Sequence, residues 1–449
     1  MQSTTKIESL DIIFIMPSVG RKKGSVYVKT WQMEPLALAV LSSLTPSHHN
    51  KKFFDDRLEQ IDYAIPADLV VINVETYTAR RAYQIAQEFR SRGAKVIMGG
   101  FHPTLVSEEV ATHADAILVG PAEKAWGDIL ADFQKGNLKK QYKGSLGDGF
   151  APVLPDRTLY AHHKYLPLTL VETGRGCKFD CEFCSVCAFF EHKYLPRPLS
   201  QVVEEVENSK NKICFFIDDN LGADRTHLKQ LLSLLIPLKI KWVGQISIDI
   251  CADEELLGLM RRSGCVGVLI GFESLDPRNL KAMGKGINRQ AKVYEQGIQA
   301  LRRHRIILYA TFLFGYDHDT EETFKATYKF ALKHRIFLVA FNHLVPFPGT
   351  PLYKRMETEG RLLYPAWWLE PTYRFGQVAF IPKGFTPEKL EATCLDYRRR
   401  FYNFPSLLWR SLDFRANLAS FWRFTVFWTQ GIIGRKDVER RQGLSLGEE

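Results

Sequence analysis

No apolar stretch among the 449 residues runs unbroken for the ~18 positions that a bilayer-spanning helix needs. Cysteine is scarce, eight in all, too few for a disulfide scaffold at this length, and four of them (Cys214, Cys251, Cys265, Cys394) are scattered. The start, Met-Gln-Ser-Thr-Thr-Lys-Ile-Glu-Ser, lacks the apolar core of a secretory signal, so the chain reads as cytosolic. Basic charge is not concentrated: no Lys/Arg run extends beyond Arg398, Arg399 and Arg400, and no aromatic stripe is interleaved with the basic residues. A nucleic-acid surface is therefore disfavoured despite the net charge of +10 and pI near 9.1, and the surplus points to anionic cofactors or a membrane surface. Internal repeats and low-complexity tracts are also missing.

What is present is an ordinary soluble composition, 45% hydrophobic and 24% charged, in a chain long enough for two or three domains. Apolar strand-like runs at 11–16, 52–54, 68–73, 95–98 and 116–119 alternate with helical patterns at 34–43, 79–92 and 103–112. That alternation predicts a doubly wound, flavodoxin-like α/β domain over residues 1–145, with its ligand at the carboxyl ends of the strands. Glycines and prolines over 146–165 read as a linker. From 166 to 370 the alternation resumes. Strands are expected at 168–173, 213–217, 241–248, 266–272, 306–314 and 337–345, and helices at 200–209, 226–235, 254–263, 289–302 and 320–334. Six βα units suggest a partial (β/α)6 TIM barrel. Residues 371–449 read as mainly helical, with Thr386-Pro387 opening a helix to about Phe401.

The most specific signal is Cys177, Cys181 and Cys184 in Gly-Arg-Gly-Cys-Lys-Phe-Asp-Cys-Glu-Phe-Cys, behind an apolar strand. CxxxCxxC puts three thiolates on one loop, which suits a four-iron cluster with three irons held and one open. Cys187 could supply a fourth thiolate to zinc or to a closed cluster. Zinc ribbons, however, pair two separated CxxC knuckles, and only one cysteine group exists here. Four ligands within eleven residues also have little freedom to reach the corners of one cluster. Cys187 thus reads as a bystander, or as a thiol near enough to donate hydrogen.

CxxxCxFC after a strand at the head of a six-fold βα pattern resembles the radical S-adenosylmethionine (radical SAM) superfamily, with Phe183 matching the aromatic before the third cysteine. The resemblance implies a [4Fe-4S] cluster whose free iron chelates S-adenosylmethionine, and electron transfer that yields a 5′-deoxyadenosyl radical. It implies that Asp218 or Asp219 holds the methionine ammonium, that the stretch containing Gln245 and Ser247 meets the ribose, and that Glu273 ends the fourth strand as a polar contact. Residues 280–286 and 345–353 are similar to one branch of the superfamily, whose members carry an N-terminal cobalamin-binding domain. On that likeness Glu75, Thr76 and Thr78, the Gly99-Gly100-Phe101-His102-Pro103-Thr104 loop, and Gly120 with Glu123 would lie against the corrin. His102 has a plainer reading as a helix cap. Asp55-Asp56-Arg57-Leu58-Glu59-Gln60 stands where many cobalamin folds carry DxHxxG, so cobalt would lack a histidine from the protein.

With both cofactors the resemblance implies methyl transfer to an unactivated carbon, with the corrin face looking across at the cluster. Electrons would come from a flavodoxin or ferredoxin. A radical oxidative cyclase or rearrangement enzyme is the second reading, and a zinc-stabilised nucleic-acid module the third. The tail mixes Trp, Phe, Leu and Arg, and tail and core motifs together resemble radical enzymes such as hopanoid C-2 methyltransferase and the anaerobic oxidative cyclase of bacteriochlorophyll synthesis, a resemblance that implies a small lipid- or tetrapyrrole-like substrate. It reads either as a helix packed across the barrel mouth with solvated arginines or as a peripheral membrane contact with arginines among headgroups. No substrate-side acid, base or hydrogen donor can be assigned from the residues.

Overall fold

The computed structural model describes residues 9–21, 32–285 and 291–448, which form two compact units. The first comprises residues up to 166 together with 366–375 and 444–448; the second comprises 167–365 and 376–443. Residues 1–8, read as lacking a secretory signal, and the last residue of the 280–286 stretch lie outside the described residues.

The first unit is built on a parallel sheet of β1 (Asp11–Met16), β2 (Asn50–Asp55), β3 (Leu69–Asn73), β4 (Lys95–Gly99), β5 (Ala116–Val119) and β6 (Gln141–Lys143). Ile12, Ile13, Phe14 and Ile15 are all buried, as are Leu69, Val70, Val71 and Ile72, because helices cover both faces of the sheet. The order β2-β1-β3-β4-β5-β6 is flavodoxin-like with one added strand. The chain leaves β1 to one side and β3 lies on the other, so a crevice opens beyond the carboxyl ends of β1 and β3.

Three expectations are corrected here. The sixth strand falls just before the expected linker, and its Gln-Tyr-Lys sequence buries Tyr142 alone, too little for an apolar signal. Residues 146–165 are not a free linker: Tyr160 is buried, and Asp156 accepts Ser42 Oγ at 2.7 Å and Lys51 Nζ at 3.0 Å, which hold its carboxyl down at about 2. The helix expected at 103–112 is broken at Val106 into Phe101–Leu105 and Ser107–His113.

The second unit carries β7 (Thr169–Val171), a two-stranded hairpin of β8 (Gly174–Gly176) and β9 (Tyr194–Pro196), and then β10 (Ile213–Phe216), β11 (Lys241–Ile246), β12 (Cys265–Glu273), β13 (Ile307–Phe314) and β14 (Leu338–His343). Apart from the hairpin, these strands are parallel and neighbour one another in chain order, which is the arrangement of a partial (β/α)6 barrel. Trp242, Phe272, Phe312 and Phe341 fill its core. The helix Pro387–Phe401 starts where expected, with Thr386 accepting the Lys389 amide, and covers the edge strand β14, where Arg398 Nε donates to Phe341 O at 2.7 Å. Helices Phe404–Ser411 and Phe421–Arg441 follow. The expected helical region is thus interrupted: 366–375 and 444–448 return to the first unit, where Trp367, Trp368 and Tyr373 are buried.

Candidate active site

The loop after β7 brings the cysteines to the carboxyl end of the barrel strands. Gly174 and Gly176 open it in the β8–β9 hairpin. Gly176 has φ +83°, and a side chain there would meet the Lys193 carbonyl oxygen at 2.2 Å. Cys177, Cys181 and Cys187 are buried and Cys184 is half-buried, and all four line one cavity. Hydrogen bonds pin the loop at Glu182: its amide donates to Met283 O at 3.2 Å, and its carboxylate accepts Tyr316 OH at 2.6 Å and Arg355 at 2.8 Å. Among the described residues no three ligating side chains converge on a point that a single metal ion could occupy. The thiols are instead spread around a cavity, a donor set suited to a cluster with several irons.

Electrostatics inside the cavity depend on Lys285. Burial pushes Cys181 up to about 12, and the Lys285 ammonium opposes that rise. Asn220 Nδ2 approaches Cys177 Sγ at 3.8 Å. The Cys187 thiol, 3.1 Å from Phe179 O, also serves Cys184, bringing Cys184 down to about 7 and leaving Cys187 far above the usual thiol range. Cys187 therefore stands inside the cavity wall rather than off to the side of the loop.

The two acids after β10 separate cleanly. Asp218 points away from the cavity and is held by Thr173, whose amide and hydroxyl donate at 2.9 and 2.6 Å. Asp219 lines the cavity, accepts the Gly176 amide at 3.0 Å, and receives Gln245 Nε2 on its backbone oxygen at 2.7 Å. Burial raises both carboxyls, Asp218 to about 8 and Asp219 to about 6. Of the two, Asp219 is the one available to a ligand.

Gln245 and Ser247, at the end of β11, line the same space, and the buried Ser247 hydroxyl has no partner. A hydroxyl without a bond beside a cavity marks a place where a ligand oxygen or nitrogen would relieve a desolvation cost. Glu273 ends β12 at φ +63°, a left-handed conformation that a non-glycine residue adopts at a cost, and there the β12–β13 register slips. Its carboxylate folds back onto Lys285 Nζ at 2.5 Å, and Lys285 also donates to Gly271 O at 3.0 Å. A Cβ at Gly271 would lie 2.1 Å from Glu273 Oε1 and 2.9 Å from Lys285 Nζ, so a side chain there would displace the ends of that pair. Phe183, Phe179 and Val186 supply apolar wall.

Lys285 and Asn220 did not emerge as site residues from the sequence. Lys285 sits in the 280–286 stretch whose likeness was noticed, so a buried-partner argument for Glu273 could have found it.

In the first unit the expected residues gather at the carboxyl ends of β3, β4 and β5, but several are turned inward. His102 is fully buried, with Nδ1 at 3.3 Å from Thr76 Oγ1 and Nε2 at 3.3 Å from Glu109 Oε1, so it neither caps the helix nor presents a free edge to a corrin. Glu109 is also taken by Tyr83 OH at 2.6 Å and Trp368 Nε1 at 3.1 Å. Thr76 and Thr78 are buried as well, and Thr78 Oγ1 accepts the Glu75 amide at 3.0 Å. Glu75, Gly99, Gly100, Gly120 and Glu123 are half-buried. Gly100 (φ +117°) and Gly120 (φ +80°) bring the backbone to strand ends that a side chain would obstruct. After β2, Asp56 is caged by Arg81 at 2.9 Å and by the Ser18 hydroxyl at 2.6 Å, and Asp55 by Arg57 at 2.7 Å. Those acids are structural, and none is free to serve cobalt in place of a histidine.

The sequence profile of the radical SAM superfamily matches residues 171–331. The bacteriochlorophyllide d C-12(1)-methyltransferase of Chlorobaculum tepidum is 31% identical over 392 residues, covering 84% of each chain. The bacteriochlorophyllide d C-8(2)-methyltransferase of the same organism is 32% identical, over 74% of this chain and 78% of that one. The solved structure of the radical S-adenosylmethionine methyltransferase TsrM from Kitasatospora setae, with cobalamin and a [4Fe-4S] cluster bound, superposes with a TM-score of 0.69 at 16% identity, over 96% of this chain and 99% of that one. At that identity the likeness speaks for the fold.

Proposed function

We infer the activity from one premise: this chain belongs to the radical SAM superfamily. The reading is a cobalamin-dependent methyltransferase that acts on an unactivated carbon of a tetrapyrrole, the substrate class named for the two Chlorobaculum relatives. The observation that carries it is the single cavity in which three loop thiols meet Asp219, Ser247 and the Glu273–Lys285 pair.

The donor set fits a four-iron cluster held by Cys177, Cys181 and Cys184, with S-adenosylmethionine beside it. Bound there, cluster and S-adenosylmethionine supply a carbon radical, and cobalamin supplies the methyl group. The chain's own residues do the rest. Asp219, fixed by the Gly176 amide, offers a carboxylate to an ammonium. Ser247 offers a hydroxyl to the sugar, and Gln245 braces the Asp219 backbone. Glu273 is held by Lys285 so that its polar end stays in the cavity at the cost of a strained backbone. Phe179, Phe183, Ile246 and Ile248 keep water from the reacting atoms. Glu75, Gly99, Gly100, Gly120 and Glu123 would receive the corrin by close backbone approach, without a histidine ligand. An external one-electron donor of the flavodoxin or ferredoxin kind would supply electrons to a cluster held by Cys177, Cys181 and Cys184, and the C-terminal helices would add a peripheral membrane contact.

Anaerobic reconstitution followed by product analysis tests the reading. Methyl transfer requires S-adenosylhomocysteine and 5′-deoxyadenosine together with a methylated tetrapyrrole. Deoxyadenosine alone would move the chain to the oxidative-cyclase reading. Ser247→Ala should weaken S-adenosylmethionine binding about three- to tenfold at unchanged iron content.

A further inference from the structure

We propose that the helical C-terminal region is the docking face for an anionic lipid surface, with the aromatic side chains between Phe404 and Trp422 inserted among the acyl chains. This deepens the peripheral contact proposed above and rests on no step of the radical chemistry.

Exposed large apolar side chains are sparse over most of the molecule. Among the described residues thirteen are found, and eight of them fall between Phe404 and Ile432. Phe421 is 86% exposed, Phe414 73% and Phe404 62%, with Leu408, Trp409, Leu412 and Trp422 around half. Clustering of this kind marks an interaction surface rather than scattered exposure. Phe404, Leu408 and Leu412 follow one another at four-residue steps on one face of the helix Phe404–Ser411 and just past its end. Phe404 packs on Trp428 of the next helix with ring centroids 5.7 Å apart, which joins the two exposed faces.

The scaffold beneath is rigid. Arg410 is fully buried and donates to Ile336 O at 3.0 Å, Phe337 O at 2.9 Å and Phe401 O at 2.8 Å. Arg423 is buried too, on the carbonyls of Arg305 and Ala416. These two arginines, expected either in solvent or among headgroups, are structural bolts, and headgroup contact falls to others. Arg415 is exposed beside Phe414, and Arg335 lies 4.6 Å over the Trp409 ring.

Charge selects the occupant. Between residues 397 and 434 the one acid is Asp413, which is buried and paired with Arg302 at 2.8 Å. The segment therefore presents aromatics and arginines with no exposed carboxylate of its own, in a chain of net charge +10. That is the composition of an interfacial segment attracted to anionic lipid. Among the described residues no helix is long and apolar enough to cross a membrane, so the contact is peripheral.

The test uses the reconstituted full-length protein and sucrose-loaded vesicles of phosphatidylcholine, with or without phosphatidylglycerol. Expected are co-sedimentation with the mixed vesicles, weaker binding to phosphatidylcholine alone, a fall with added salt, and a blue shift of tryptophan emission. Phe414→Ser, Phe421→Ser and Trp422→Ser should each weaken binding about tenfold or more while iron content stays the same. The proposal is overturned if the protein ignores both vesicles, if the variant combining the three substitutions sediments as wild type does, or if pure phosphatidylcholine binds equally well. It is also overturned if light scattering shows a dimer that these substitutions dissolve, because a second copy would then cover the face. Vesicle binding needs no turnover, so failure of the methyl-transfer reading leaves this result standing.

Discussion

At Glu75 desolvation acts alone, holding the carboxyl up at about 7 against an ordinary value of 4.5. An acid whose folded value lies above its unfolded one favours folding while protonated. Its contribution is complete below the unfolded value and is lost as pH rises from 4.5 to about 7. Glu75→Gln should therefore flatten the pH dependence of the denaturant midpoint across that window, with wild type losing stability relative to the variant as pH rises. Parallel wild-type and variant curves would show that the charge is solvated. The same scale shows where residue reading stopped. Asp218-Asp219 could be recognised as a pair from the sequence, but which acid faces the cavity depends on Thr173, forty-five residues upstream, taking Asp218. Ser247 was singled out from the sequence and lines the cavity, whereas Lys285 was not singled out, because a lysine acquires meaning there only from Glu273 2.5 Å away. His102 looked like a ligand contact until Thr76 and Glu109 closed on its ring.

Strand–loop junctions carry the argument at the scale of elements. Gly100 adopts φ +117°, and an added Cβ would meet Asn73 Oδ1 at 2.7 Å and Val74 O at 2.8 Å. Gly127, in the helix Ala125–Gln134, has nothing within 4 Å of such a Cβ. Gly100→Ala should cost about 1–3 kcal/mol. Gly127→Ala should instead stabilise by about 0.5–1 kcal/mol. Equilibrium unfolding of the two variants checks the contrast, and equal effects would mean that the β4 loop is not held as described. β1 and β3 were legible because burial on both faces leaves an unbroken apolar run, and β12 and β13 because they are long and almost wholly apolar even where alternate residues are only half-buried. β6 and the β8–β9 hairpin were not, because three-residue strands bury too little to leave a pattern.

For the molecule as a whole, the chain's two returns to the first unit are the feature with a measurable consequence. Phe375 donates to Leu444 O at 2.7 Å, Leu446 is buried, and Glu448 pairs with Arg81 at 2.8 Å. Truncation after Gly443 should lower the stability of that unit by about 1.5–3 kcal/mol, the worth of Leu446 burial, and leave iron binding intact because every cluster thiol belongs to the other unit. Loss of iron, or an unchanged unfolding midpoint, would contradict that division. The sequence by itself determined the two α/β patterns, the three-cysteine loop and the superfamily, since periodicity and local spacing are properties of neighbouring residues. Tertiary structure alone decided which acid faces the cavity, that Lys285 pairs with Glu273, that His102 is sealed, and that 444–448 closes on the first unit. Each of those outcomes is a contact between segments far apart in the chain, chosen by burial and hydrogen-bond satisfaction that no local pattern encodes.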